Sequence, residues 1–163
     1  MSLKTQLVRL QLGSGNDPKP GWINHDLVKL PGINICHDLN DFPWPWADNT
    51  IDQVWVKDVL EHLPNTIAVM EELHRITKPG AKVYIAVPYW NSWEAITDPT
   101  HVRQFNEFTF NFFDPTQEQC QERPYYSTAR FIISKIGFGI QVIPYFHTEK
   151  RLFWKFPGGL FPF

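Results

Sequence analysis

Leu10-Gln11-Leu12 runs directly into Gly13-Ser14-Gly15-Asn16, a strand-like stretch that ends on a pair of closely spaced glycines. Glycine at such a bend lets the backbone turn sharply and come close to a ligand. A dinucleotide fingerprint would need a third glycine at position 18, which is Pro18, so NAD chemistry is disfavoured. Taken alone, the glycine pair is equally well a plain turn. Three carboxylates follow where strand-like runs end: Asp26 after Trp22-Ile23-Asn24-His25, Asp38 after Ile35-Cys36-His37, and Asp58 after Val54-Trp55-Val56. In a parallel sheet such ends share one edge, the edge at which open α/β folds bind ligands. A carboxylate there can accept hydrogen bonds from a ribose diol; the plainer alternative for each is a helix cap or turn residue. His25, His37, His62 and His101 could gather near the same rim, but no HxxxH or HExxH spacing joins them, so no metal is expected.

Short strands are expected over 7–12, 22–26, 33–36 and 51–56 to position these groups. The clearest helix runs from about Thr66 to Thr77, with Asn65 as N-cap, Ile67, Met70, Leu73 and Ile76 along one face, and Lys78-Pro79-Gly80 as terminator. Lys82 to Val87 then alternates as a strand would. A strand, helix, strand succession implies a parallel βαβ unit. Gly15 and Trp22 are too close in sequence for a helical crossover, which takes about a dozen residues or more, so the first helix is expected to be missing or cut to a turn. The stretch between Asp26 and Asp38 is short as well. Part of one sheet face is then bare, to be covered by the C-terminal tail or by a second subunit. Residues 89–130 form a long insertion with a short helix near Glu107 to Phe113. Phe131-Ile132-Ile133 and Ile140 to Ile143 flank Gly137-Phe138-Gly139 as a closing strand pair, and 151–163 reads as an irregular aromatic tail.

The chain has 163 residues, 43% of them hydrophobic, enough for one domain with a sizeable core and no internal repeat. A net charge of −2 argues against a function built on nucleic acid or a membrane surface. No window approaches the 18 or so apolar residues of a membrane span, and the first residues lack the apolar run of a signal peptide. Cys36 and Cys120 are too few for a disulfide framework, which reads as cytoplasmic. Aromatic residues are abundant, with 13 Phe, 7 Trp and 5 Tyr, many of them after Tyr89. Such rings line a core, a pocket or an interface.

The order of signals resembles the class I S-adenosylmethionine-dependent methyltransferases. The resemblance rests on Leu12-Gly13-Ser14-Gly15, Asp26, Asp38-Leu39, Ile51-Asp52-Gln53-Val54, Val59-Leu60-Glu61-His62 and the block from Glu72 to Gly80. It covers roughly residues 7 to 88. Gly21-Trp22-Ile23-Asn24 narrows it to small methyltransferases with a shortened glycine-turn region. The fold it implies is α/β: a Rossmann-like, mostly parallel sheet with an antiparallel closing strand, reduced in helices on its N-terminal side.

The resemblance further implies S-adenosylmethionine as cofactor. Gly13, Ser14 and Gly15 would pass beneath its amino-acid part and Asp26 would bind the ribose. Asp38 and Leu39 would meet the adenine, while Lys57 and Asp58 would lie near the methionine and sulfonium. Histidine recurs in the family at the position of His62, where it could orient or deprotonate an acceptor; packing the start of the helix is the alternative. The segment Asp98-Pro99-Thr100-His101-Val102-Arg103 would set His101 and Arg103 above the pocket. Arg103 could grip an acidic group there, or pin the insertion through Asp98 or Glu107. Trp90 and Trp93 are the candidates for an acceptor-binding wall. The function so implied is methyl transfer to a small molecule, with no nucleic acid or membrane partner and a homodimer through the aromatic C-terminal region. The alternative is a catalytically degenerate domain acting as a binding module.

Overall fold

The computed structural model describes residues 7–143 and 147–155, with side chains through residue 138. Seven strands make one sheet: β1 (Arg9–Leu12), β2 (Ile23–Asp26), β3 (Ile35–Cys36), β4 (Ile51–Lys57), β5 (Thr77–Pro88), β6 (Lys135–Ile143) and β7 (His147–Lys155). Their spatial order is β3-β2-β1-β4-β5-β7-β6. The pairs among β1 to β5 are parallel, and β7 runs antiparallel to both β5 and β6. The expected mostly parallel sheet with a reversed closing strand is therefore formed.

Leu10 and Leu12 lie in register with Val54 and Val56, which lie in register with Val83 and Ile85. That row packs with Val69, Met70, Leu73 and Ile76 of α1 (Thr66–Ile76) into one apolar core. Each fully buried aliphatic side chain there contributes about 1.5–3 kcal/mol relative to leaving it in water. Asn65 caps α1 as expected, its Oδ1 accepting the Ala68 N–H at 3.1 Å. Ile67 is 40% exposed and not part of the buried stripe; Val69 takes its place.

The opposite face of the strands is polar and aromatic, with Gln11 beside Trp55 and Trp55 beside Tyr84. No helix crosses between β1 and β2 or between β2 and β3. A turn-rich loop lies there instead: Gln11 Nε2 donates to the Asp17 carbonyl at 3.0 Å and Gln11 Oε1 accepts the Lys19 N–H at 2.9 Å. The Lys19 ammonium sits 4.6 Å over the Trp55 ring. The loop thus covers part of the face assigned to the tail or a second subunit.

Three boundary expectations are corrected. Lys78-Pro79-Gly80 does not separate helix from strand, because β5 starts at Thr77 directly after α1. The ladder is irregular between Ile51↔Thr77 and Gln53↔Lys82, and Pro79 and Gly80 occupy that irregularity. Gly137-Phe138-Gly139 is not a turn but the interior of β6, and Phe131 to Ile133 is outside any strand. Residues 151–155, read as part of an irregular tail, belong to β7; Tyr84↔Lys155 through Pro88↔Arg151 pair it to β5. Residues 156–163 lie outside the described residues.

The 89–130 insertion holds α2 (Trp93–Thr97), a 3-10 turn at Thr109–Phe113 rather than an α-helix from Glu107, and α3 (Glu118–Glu122). Phe105, Phe110 and Phe113 drive its second half into the core, and Glu71 of α1 accepts from Ser127 and Thr128. Among the described residues, no helix is long and apolar enough to cross a membrane.

Candidate functional site

The carboxyl ends of β1, β2 and β4 meet at one edge of the sheet. Gly13, just after β1, has φ +61°, and a Cβ there would overlap Val59 Cγ2 and sit 3.5 Å from Val59 Cβ. Only glycine fits the approach of β1 to the turn after β4. Ser14 N–H donates to the His25 carbonyl at 2.8 Å, and Gly15 N–H donates to Asp26 Oδ2 at 2.7 Å. The other oxygen, Oδ1, accepts the Val28 N–H at 3.1 Å. The glycine turn and the end of β2 are thereby fixed to one another, and each Asp26 oxygen keeps lone-pair capacity for a further donor.

Asp38 Oδ1 accepts both the backbone and side-chain N–H of Asn40, at 2.9 and 3.0 Å, which sets the tight turn carrying Leu39. The Leu39 carbonyl accepts the Trp44 indole N–H at 3.1 Å. The Trp44 segment is in turn held by Arg75 of α1, whose guanidinium donates to the carbonyls of Trp44 and Trp46 at 3.0 and 2.8 Å while forking onto Glu72. A bidentate carboxylate contact of this kind is one that lysine cannot reproduce. His25 is 1% exposed, contacts the His37 carbonyl through Nε2 at 2.9 Å and meets Trp46 edge-on. Burial holds its pKa below 6.5, outweighing the His37 carbonyl and Asp26, which act to raise it.

Asp58 follows β4 in the left-handed region, at φ +53°, with its N–H donating to the Ala86 carbonyl of β5 at 2.9 Å. A non-glycine residue held there stores backbone strain, which clusters at functional sites. The next turn, Leu60–His62, anchors the insertion: the N–H groups of Val102 and Arg103 donate to the Glu61 carbonyl at 2.8 and 3.1 Å. That brings His101 against His62, ring centroids 4.7 Å apart. Thr100 Oγ1 donates to Asp98 Oδ1 at 2.6 Å and lies 2.9 Å from His62 Nδ1. With its own proton on Asp98, the hydroxyl accepts Nδ1–H, so His62 keeps its lone pair on Nε2. The Thr100 hydroxyl and then its N–H hold the Asp98 carboxyl below the usual carboxylate range, with His101 and His62 adding to the effect.

Two clefts result. One, of about 410 Å³, is lined by Gly13, Gly15, Asp26, Asp38, Leu39, Asp58 and His62 among the site residues expected from sequence, together with His25, His37 and Val59. The second, of about 370 Å³, is lined by Asp58, Glu61, His62, Pro88, Trp93, Glu94, Thr97, Asp98 and His101. Asp58 and His62 belong to both.

Four of the expected residues stand elsewhere. Ser14 is buried behind the glycine turn. Lys57 is exposed, its Nζ 3.8 Å from Asp58 Oδ2, and lines neither cleft. Trp90 is 48% exposed and also outside both, since its N–H is drawn to the Phe105 carbonyl at 2.9 Å. Arg103 is turned away: its Nε donates to the Pro64 carbonyl at 2.7 Å, Nη2 reaches the same oxygen, and the residue lines a separate cleft with Phe112 and Tyr126. Its partner is neither Asp98 nor Glu107. Sequence reasoning did not single out Glu61, Val59 or Asp98 as site residues, although all three lie within or beside the stretches quoted above.

The sequence profile of the methyltransferase-domain family matches residues 12–85. The methyltransferase GfsG of Streptomyces halstedii is 31% identical over 67 residues, 39% of this chain and 24% of that protein. A demethylmenaquinone methyltransferase of Geobacillus sp. (strain WCH70) is 30% identical over 89 residues, 53% of this chain and 34% of that protein. The matched stretch therefore spans only 24 to 34% of the length of these relatives. A SAM-dependent methyltransferase structure from Methanosarcina mazei superposes with a TM-score of 0.59 at 12% identity, over 93% of this chain and 92% of that one.

Proposed function

From a chain whose residues 12–85 belong to the methyltransferase-domain family, on a sheet with the class I methyltransferase fold, we propose S-adenosylmethionine-dependent methyl transfer to a small-molecule acceptor. The observation that carries this reading is the meeting of two clefts at Asp58 and His62. A donor in one and an acceptor in the other would face each other across that pair.

The first cleft fits the cofactor. Its floor at Gly13 has no room for a Cβ. Asp26 offers carboxylate oxygens to ribose hydroxyls, and Asp38 beside the apolar Leu39 suits an adenine with its exocyclic amine. Asp58 places a carboxylate where a sulfonium cation would lie. Bound there, S-adenosylmethionine supplies an electrophilic methyl group, and its displacement demands mainly proximity and alignment. The chain's own task is to hold both partners and manage one proton. Trp93 and Pro88 form walls for the acceptor. His62, with Nδ1–H on Thr100, presents Nε2 as the base for an acceptor O–H or N–H. His101 stands behind it as a positioning group. The cytoplasm is the proposed compartment, in keeping with a free, exposed Cys36.

A thermal melt with S-adenosylhomocysteine tests the reading. At a hundred times its dissociation constant a ligand stabilises the fold by about 2.7 kcal/mol, a rise of roughly 5–10 °C for a domain of this size. The rise is expected in the wild type and lost in Asp26→Ala. No rise at millimolar ligand would turn the reading toward a domain that binds a partner without catalysis.

A further inference from the structure

We propose that Glu61, His62 and His101 form a binding site for a divalent transition-metal cation, zinc or a cation of similar preference, in the wall of the acceptor cleft. One ring nitrogen of each histidine and one carboxylate oxygen of Glu61 lie within 4.8 Å of one another. Two imidazole nitrogens with one carboxylate are the ligand set of open zinc sites, whereas calcium and magnesium prefer oxygen alone.

The surroundings orient both rings as a metal's outer shell would. Asp98 is the common support. Its Oδ1 takes the Thr100 hydroxyl, which fixes Nδ1–H of His62 and leaves Nε2 with the lone pair. Its Oδ2 lies 3.8 Å from Nε2 of His101. The remaining nitrogen of that ring, Nδ1, is buried and meets no hydrogen-bond partner among the described residues, although the side chain is only 8% exposed. Histidine ligands typically pass their second N–H to a carboxylate; at 3.8 Å Asp98 Oδ2 stands close enough to Nε2 of His101 to take that role on a small turn of the ring. Glu61 is itself 1% exposed, so its carboxylate is buried beside the two rings. No spacing motif announces it, because Glu61 and His62 lie on one turn and His101 arrives on the insertion. The proposal rests on the reading of the second cleft and revises one role in it: with the ion bound, His62 Nε2 is a ligand rather than the base, and a cation with one position open there would polarise an oxygen of the acceptor and ease loss of its proton.

The test is a titration of the tag-free full chain, first stripped with chelator, by Co²⁺, followed through the visible absorption of the bound ion and repeated by Zn²⁺ competition. One equivalent is expected to bind. His101→Ala and Glu61→Gln should each weaken binding at least about a hundredfold, Asp98→Asn by about 10–100-fold, and His74→Ala, on the exposed side of α1, not at all. Circular dichroism checks the fold of each variant, and Glu61→Gln and Asp98→Asn, which keep side-chain shape, decide the matter if His101→Ala does not fold. Absence of stoichiometric binding, or an isotherm unchanged by Glu61→Gln and Asp98→Asn, would overturn the site. The titration needs neither methyl donor nor acceptor, so its failure leaves the cofactor cleft and its Asp26 test standing.

Discussion

Alanine at Gly13 and at Gly15 asks the same backbone question with different surroundings. Both glycines are left-handed, at φ +61° and +51°. A side chain there costs roughly 1–2 kcal/mol in backbone strain. At Gly15 nothing lies within 4 Å of an added Cβ, so Gly15→Ala should cost that amount and no more. At Gly13 the new Cβ would overlap Val59 Cγ2, and Val59 is packed in the core at 8% exposure. Overpacking adds about 1–3 kcal/mol, so Gly13→Ala should cost roughly 2–5 kcal/mol in total. Val59→Ala removes the obstructing methyl groups, and the double variant should therefore be less damaging than the sum of its parts by about 1–3 kcal/mol. Urea unfolding with a common slope reads the wild type and the four variants. The entropy that alanine removes from the unfolded chain is shared by both glycine sites and cancels in the comparison. Equal costs at positions 13 and 15, or strict additivity with Val59→Ala, would refute the close approach of β1 to the turn after β4, and with it the floor of the cofactor cleft.

Other consequences are open to direct measurement. Arg75→Lys keeps the charge but loses the fork onto Glu72 and a carbonyl contact in the Trp44 to Trp46 segment; it should cost about 1.5–3 kcal/mol in urea unfolding and weaken S-adenosylhomocysteine binding through the Leu39 turn. His25 has a folded pKa below 6.5 and is held neutral by burial. Its stabilisation is full above pH 6.5 and lost as pH falls through the folded value, because the unfolded chain binds the proton more readily. His25→Gln should therefore flatten the decline of stability as pH falls below about 6.5, measured by unfolding at each pH; an unchanged decline would show that His25 is not its source.

Much of the scaffold was legible because local and tertiary preferences agree. The stripe of Met70, Leu73 and Ile76, the Asn65 cap and the alternation from Lys82 to Val87 each point to the element that forms. The glycine turn and the acids at the strand ends were legible for the same reason, since parallel strands carry their termini to one edge. Pro79 and Gly80 misled because their role as a helix stop also suits an irregular ladder, which only the pairing of β4 with β5 reveals. Gly137 and Gly139 read as a turn, yet pairing with Phe153 and Arg151 of β7 holds them extended. Arg103 shows the limit at the site: its guanidinium had several partners at comparable sequence distance, and the path of the insertion over the Leu60–His62 turn selected the Pro64 carbonyl. Glu61 was not singled out because nothing in its local sequence marks it as buried, whereas the insertion closes over it, Val102 and Arg103 donating to its carbonyl.

The most direct test of the central proposal is a crystal structure of the chain with S-adenosylhomocysteine. The expected result places the ribose on Asp26, the adenine between Asp38 and Leu39, and the sulfur toward Asp58 and His62, facing the second cleft. A ligand bound with its sulfur directed away from Asp58 and His62, or bound outside the Gly13 to Asp38 cleft altogether, would contradict it.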